Sequence, residues 1–374
     1  MPICSDAAVV RSAGSRQVSK ASSAGSATWA AATAGATLHP REVLLGPQSA
    51  NVWLPVCDHY CGVEARMRKS LALQTEMTEE FGACVFDVTL DCEDGAPVGG
   101  EADHAAMVVA LAAAAPNAAR VAVRVHAVDH AAFADDMATI AGSLAHRLTH
   151  IMLPKVETVA DVQLAEQALL AAGAHGLPLH VLIESPLAVR NAFDIAAHPR
   201  VQSLSFGLMD FVASHGGAIP ADGMAGQGQF SHPLVVRAKL EIASACHAFG
   251  KVASHCVVTE FGDADLILVA AHQAAREFGY RRMWSIHPNQ IRPILQAFAP
   301  DEAEIGTACK IIAVAALAGW APISFGGKLH DRASYRYFWQ VLERAHQTGR
   351  QLPSDIQPYF YDAGNGRHHR GKHP

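Results

Sequence analysis

The sequence predicts an α/β protein built as a closed (β/α)8 barrel with a C-terminal helical extension. Two observations carry that expectation. Eight short β-branched runs lie between residues 52 and 286, and each gives way to an Ala/Leu-rich stretch of helical character. Strands alternating with helices form parallel sheets, because only a crossover returns the chain in the same direction. Eight such units over about 250 residues suit a closed TIM-type barrel better than an open doubly wound sheet. No GxGxxG follows the first run, so the dinucleotide-binding fingerprint is missing.

In chain order the runs are residues 52–56, 84–90, 121–125, 150–153, 179–183, 203–208, 252–255 and 283–286. The helical period is clearest over 161–172, where Val162, Ala165, Leu169 and Ala172 share one face and Thr158 is placed as an N-cap. The barrel is expected over 46–298, a C-terminal helical lid segment over 299–345 and a tail over 346–374. Residues 1–45 are rich in Ser, Ala and Gly, with Arg11, Arg16 and Lys20 against Asp6. They bury little and are expected to form a disordered extension, without the apolar core of a secretory signal.

Half of the 374 residues are hydrophobic and 17% are charged, and the net charge is -6 with His neutral. That balance excludes a uniformly basic nucleic-acid surface and requires a locally positive pocket for any anionic substrate. No stretch reaches the roughly 18 apolar residues of a membrane span. The eight cysteines form no CxxC pair and read as reduced thiols, which points to the cytoplasm.

Active sites of such barrels sit at the C-terminal ends of the strands, where the βα loops converge. The residues at those ends are Asp58 and His59; Asp91, Glu93 and Asp94; Arg124 with His126; Lys155; Glu184 with Ser185; Asp210; His255; and His287. A single one would be an ordinary loop charge, but a ring of them marks a site. Glu184 and Asp210 close neighbouring strands, so their carboxylates are placed to share one hard cation, Mg²⁺ or Mn²⁺. The alternative is that one of them caps a helix or pairs with a lysine. Arg124 lies in an apolar strand, either ion-paired to Asp91 or Glu93 or acting as a planar fork on a substrate carboxylate. Lys155 has the reach to cross the barrel and neutralise a carboxylate. Glu93 and Asp94 are placed to orient Arg124 or metal-bound water. The glycine-rich loop 216–228 is either a lid or a plain connection.

The order Asp91-Cys-Glu93-Asp94, Val-Arg124-Val, Leu-Pro-Lys155, Ile-Glu184-Ser, Gly207-Leu-Met-Asp210 and Ile-His287-Pro-Asn-Gln290-Ile resembles the HpcH/HpaI aldolase–citrate lyase family. Within it the sequence is most similar to the citrate lyase beta-subunit-like and malyl-CoA lyase branch. The match runs from about Asn51 to Ala345 and includes Phe325-Gly-Gly-Lys-Leu-His-Asp331. This resemblance implies a Mg²⁺-dependent carbon–carbon lyase, with Glu184 and Asp210 as metal ligands. It implies catalytic roles for Arg124, Glu93 and Asp331, and substrate contacts from Arg124, Lys155, Asp94 and His287. The reaction implied is cleavage of a 3-hydroxyacyl-CoA, such as citryl-CoA or malyl-CoA, to a 2-oxo acid and an acyl-CoA. The implied assembly is a homo-oligomer, a trimer or hexamer, in which Asp331 reaches over a neighbouring subunit's site.

Two departures stand out. The family's opening Phe-Val-Pro-Gly-x-Arg is replaced by Leu54-Pro55-Val56-Cys57-Asp58-His59, and its Lys-x-x-Ala-Arg by Gly100-Glu101-Ala102-Asp103-His104. Both remove positive charge where CoA phosphates are expected, leaving Arg66, Arg68 and Lys69 as substitutes. Two other readings therefore stand beside the thioester lyase. One is a class II pyruvate aldolase acting on free 4-hydroxy-2-oxo acids without CoA, and the other is a non-catalytic barrel used as a binding or scaffold subunit. A zinc hydrolase barrel needs His-x-His on its first strand, which Asp58-His59-Tyr60 does not supply.

Overall fold

The computed structural model describes residues 39–46, 54–354 and 356–360. Of the extension expected over 1–45, residues 1–38 lie outside the described residues, as do 361–374 of the expected tail.

Eight strands form a closed, all-parallel barrel: β1 (Cys57–Cys61), β2 (Phe86–Asp91), β3 (Val121–Arg124), β4 (Ile151–Leu153), β5 (Leu179–Ile183), β6 (Val201–Phe206), β7 (Val252–His255) and β8 (Arg282–Ser285). β8 returns to pair with β1, with Cys57 opposite Met283 and also opposite Phe86 of β2. The expected fold class is therefore the observed one, and β5 and β7 fall on the expected residues. β1 does not. It begins at Cys57, just after the apolar run 52–56 that was expected to form it. Its inward residues are polar, since Asp58 meets Arg282 (2.8 Å) and Tyr60 stacks on Trp284 (5.8 Å between ring centroids). A strand whose core-facing side chains are Asp and Tyr gives no apolar alternation to detect.

The main apolar core lies outside the barrel wall, between the strands and the helices around them. The barrel interior is layered, as side chains from alternate strands require. Its lower layer is ionic: Arg282 pairs with Asp58 and with Asp87 (2.6 Å), and Arg120 pairs with Asp87 (2.5 Å). Burial would lift the Asp87 carboxyl, but two guanidiniums outweigh it and hold Asp87 below the usual range; Asp58 has only Arg282, and burial lifts it. Above these lies an apolar layer of Met152, Leu182 and Trp284. The rings of His150 and His180 stack beside the ionic layer, 3.5 Å between centroids.

The chain continues into the helix Glu302–Leu317, a hairpin of β9 (Ile323–Phe325) and β10 (Lys328–His330), and the helix Arg332–Gln347. Gly326 and Gly327 turn the hairpin with φ of 57° and 73°, a region open mainly to glycine. The last helix packs on the first of this pair and on the short helix Pro40–Leu45, where Arg41 bonds Glu343 (3.2 Å). Thus Pro40–Leu45, expected as disordered, is a helix with Leu44 buried. Residues 346–360, expected in a tail, include buried Leu352, Ile356 and Phe360, the last stacked on Trp339. Cys57, Cys61, Cys84, Cys92, Cys246 and Cys256 carry free thiols, and no helix among the described residues is long and apolar enough to cross a membrane.

Candidate active site

The site begins with the register of β2 on β3, which sets Asp91 opposite Arg124 at the mouth of the barrel. Arg124 Nε donates to Asp91 Oδ1 (2.6 Å), and its Nη2 donates to the Tyr60 hydroxyl (2.7 Å) and to Asp94 Oδ2 (2.8 Å). Nη1 lies 2.8 Å from Glu93 Oε2. Tyr60 donates in turn to Asp91 Oδ2, and the guanidinium lies over the Tyr60 ring, 4.7 Å from its centroid. Burial disfavours the charge, yet Asp91 leads a set of anions that keep the guanidinium firmly protonated. Burial likewise keeps Tyr60 a neutral phenol. Of the three carboxylates only Asp94 is open, its side chain 72% exposed. The loop carrying Glu93 and Asp94 packs against the chain leaving β1 at Gly95 and Gly62, where a side chain on either would collide with backbone.

Next around the rim, Lys155 follows β4 with φ 52°, a left-handed conformation unusual for a residue with a side chain. The strain aims its backbone N–H at Glu184 Oε1 (2.5 Å) and its ammonium at Glu93 Oε1 (2.7 Å). Lys155 therefore ties the arginine cluster to Glu184 along the rim and does not cross the barrel. Glu184, after β5, is buried against Gly207, where any side chain would strike its carboxylate. Asp210 sits in the first turn of the helix Leu208–Ala213 after β6 and is exposed. Burial, and then the charge of Asp210, push the Glu184 carboxyl up to about 8, against the Lys155 N–H. Two oxygen-donor side chains that repel one another, one buried and one open to solvent, fit a hard divalent cation whose remaining positions take water.

A cavity of about 410 Å³ opens beside this cluster, lined in part by Glu93, Asp94, His126, His130 and Lys155. Other expected site residues are elsewhere. Asp58 and His59 are inside β1, not at its end; His59 bridges Ser70 and Ser285 hydroxyls at 3.0 Å each, on the outer face. His255 ends β7 but stacks on Phe230 outside the barrel (5.3 Å). His287 caps the helix Pro288–Phe298 and stacks on Phe261, with no contact to the Arg124 cluster. Asp331 caps the helix Arg332–Gln347, accepting from Ala333 N (2.9 Å) and Ser334 N (3.2 Å). The loop 216–228 is anchored through Gly226 N on Glu260 (3.0 Å), and just beyond it Lys239 donates to buried Gln229 (2.8 Å).

A sequence model of the HpcH/HpaI aldolase/citrate lyase family matches residues 70–288, more than half of the chain. The chain belongs to the HpcH/HpaI aldolase/citrate lyase family. A citrate lyase subunit beta-like protein of Deinococcus radiodurans is 32% identical over 255 residues, 65% of this chain and 84% of that protein. An L-malyl-CoA/beta-methylmalyl-CoA lyase of Cereibacter sphaeroides is 29% identical over 71% of this chain and 90% of its own. A crystal structure of a citrate lyase from Burkholderia xenovorans superposes with TM-score 0.70 at 48% identity, covering 86% of this chain and 99% of that one. The citrate lyase beta subunit of Mycobacterium tuberculosis, complexed with oxaloacetate and magnesium, gives TM-score 0.52 at 25% identity over 66% and 98%. As a member of this family the chain is a carbon–carbon lyase.

One further grouping in this lyase has the composition of a metal site. Asp58, His150 and His180 place ligand atoms within 4.8 Å of one another inside the barrel. The geometry does not fit. A ligated ion lies in the plane of each imidazole, and these planes are stacked 3.5 Å apart at 13°. Asp58 is also already engaged by Arg282. The sequence reading missed Tyr60, which completes the arginine cage. It lies two residues beyond Asp58 and so on the same inward face of β1, a signal hidden by the misplaced strand.

Proposed function

We propose that the enzyme is a Mg²⁺-dependent lyase that cleaves, or forms, a 3-hydroxyacyl-CoA of the citryl-CoA or malyl-CoA type, giving a 2-oxo acid and an acyl-CoA. The observation that carries this reading is the Glu184–Asp210 carboxylate pair on the same rim as a caged Arg124. Glu184 and Asp210 would hold the ion, which when bound supplies a Lewis acid for the carbonyl oxygen of the 2-oxo acid. Arg124 supplies the carboxylate fork. Asp91 and Tyr60 fix its plane, and exposed Asp94 is the partner a substrate carboxylate displaces. Glu93 spans Arg124 and Lys155, so the fork and the Glu184 ligand move as one body. The names of the related lyases support a thioester substrate. A thermal-shift panel of oxaloacetate, glyoxylate, pyruvate, acetyl-CoA and malyl-CoA, with and without Mg²⁺, tests it, because ligands of the native state raise its stability. Stabilisation by a 2-oxo acid only with Mg²⁺, together with thioester turnover, is the expected result. Indifference to Mg²⁺ for every ligand removes the reading.

A second reading has one observation behind it. Over residues 100–104 no cation faces the mouth, and His104 is spent on the Asp91 carbonyl (2.8 Å). Cations for CoA phosphates then come from Arg66, Arg68 and Lys69, all exposed on the helix Glu64–Phe81 that follows β1. Arg68 is held there by Glu64 (2.7 Å). Arg68→Glu should raise KM for the thioester about tenfold or more, at 1.5–3 kcal/mol per charged contact, and leave 2-oxo acid binding alone. If the thioesters neither bind nor react while a free 4-hydroxy-2-oxo acid is cleaved, the pyruvate-aldolase reading replaces the first.

A further inference from the structure

His126 stands two residues past Arg124, where the chain leaves β3 for the mouth cavity. Its Nδ1 lies 2.7 Å from Asp136 Oδ2, and the same oxygen accepts its backbone N–H at 3.0 Å. Asp136 is 2% exposed, so this carboxylate is a buried anchor. With Nδ1–H donating to it, Nε2 carries the free lone pair. That Nε2 makes no hydrogen bond to another described residue, while the ring lines the cavity shared with Glu93, Asp94 and Lys155. His130 stacks on the imidazole at 4.3 Å and fixes its plane. His59, by contrast, has both nitrogens engaged, between Ser70 and Ser285. A π-helical turn, Met137–Ala141, begins directly after Asp136, and such turns are frequent at functional sites.

We propose that the Asp136–His126 pair is the proton-transfer group of the reaction, a role that rests on the lyase reading above. In cleavage, Nε2 takes the proton of the substrate hydroxyl, and the O–H electron pair becomes the new carbonyl π bond. The carbon–carbon pair leaves on the acyl fragment as an enolate. The enolate carbon then takes that same proton back from Nε2, so the imidazole ends neutral and nothing is consumed. Condensation runs the same path in reverse. Asp136 holds the tautomer and stabilises the transient imidazolium, as a buried carboxylate does for a base of this kind.

The test measures hydrogen exchange at the acetyl-CoA methyl group in D2O, with Mg²⁺ present and oxalate in place of the 2-oxo acid, beside turnover of acetyl-CoA with glyoxylate. His126→Gln should slow both by about 100-fold or more, the scale of a lost acid–base group, while Mg²⁺-dependent pyruvate binding by calorimetry stays unchanged. Asp136→Asn should slow both less and leave pyruvate binding alone. The wild-type protein offers a check that needs no variant, since imidazole ¹⁵N shifts should report Nδ1–H with an unprotonated Nε2. The opposite tautomer, or His126→Gln turning over at the wild-type rate, overturns the proposal. If wild-type protein binds pyruvate with Mg²⁺ but never exchanges acetyl-CoA, the pair has no acyl substrate and this proposal alone falls. If no 2-oxo acid binds at all, the lyase reading falls with it.

Discussion

Arg124 shows at the residue level the ion pair its sequence position allows, together with an open edge that suits the proposed clamp. Asp91 and Glu93 neutralise it, as an ion pair would, while Asp94 offers a contact that water and substrate can reach. A lysine keeps the charge but can satisfy only part of this fork. Arg124→Lys should therefore cut turnover about 100-fold or more with a modest loss of melting temperature, whereas Arg124→Ala strands buried Asp91 and should cost about 3–5 kcal/mol. A wild-type rate in the lysine variant would remove the clamp. Glu184 is the second test. Its folded value of about 8 lies above the ordinary 4.5, so its protonated form stabilises the metal-free protein below 4.5, and that stability is lost as pH rises through 8. Metal-free Glu184→Gln should then melt higher than wild type at pH 8, and Mg²⁺ should stabilise only the wild type. Calorimetry showing equal Mg²⁺ affinity for both would refute the ligand assignment. Glu184 and Arg124 were legible because each ends an apolar run; the positive φ of Lys155 was not, since nothing local marks a strained backbone.

Among the elements, the first strand shows where reading by apolar pattern stops. Seven strands were found near their places because their β-branched residues pack outward under the helices, whatever the interior holds. β1 was displaced because Asp58 and Tyr60 fill its inward positions. That same ionic interior makes a prediction about acid. Burial, with Arg282 nearby, holds His180 neutral down to about 3, and burial holds His59 neutral to about 4, against an ordinary 6.5. An unfolded chain takes these protons from pH 6.5 downward and the folded chain does not, so stability falls with pH between 6.5 and about 3. Denaturant titrations across that window should show the midpoint dropping steadily, and His180→Gln should flatten the slope. An identical slope in the variant would show that other groups carry the acid response.

At the scale of the whole molecule, none of the described residues of the C-terminal extension lines the cavity at the barrel mouth. Asp331 caps its own helix and is exposed, and that helix packs on Glu302–Leu317 and Pro40–Leu45. The hairpin beside it leaves Leu329 77% exposed, and Leu317 and Tyr337 on the flanking helices are also open to solvent. Exposed apolar side chains gathered on neighbouring elements mark interaction surfaces. We propose that a second copy seats its mouth under this hairpin, which would account for both features and for the trans role that the resemblance of residues 325–331 implies. On that proposal Asp331 contributes to a neighbour's site, and the two kinds of defect are separable. Asp331→Ala and Asp210→Ala should each be inactive alone, the first lacking the contributed carboxylate and the second a metal ligand. Mixed under conditions of subunit exchange, some interfaces join an intact mouth to an intact extension. For random pairing about one site in four regains both groups, so activity should recover to roughly that share if sites act independently. Exchange demonstrated by mass spectrometry without any recovered turnover would place Asp331 outside the site, leaving its carboxylate with the helix cap alone.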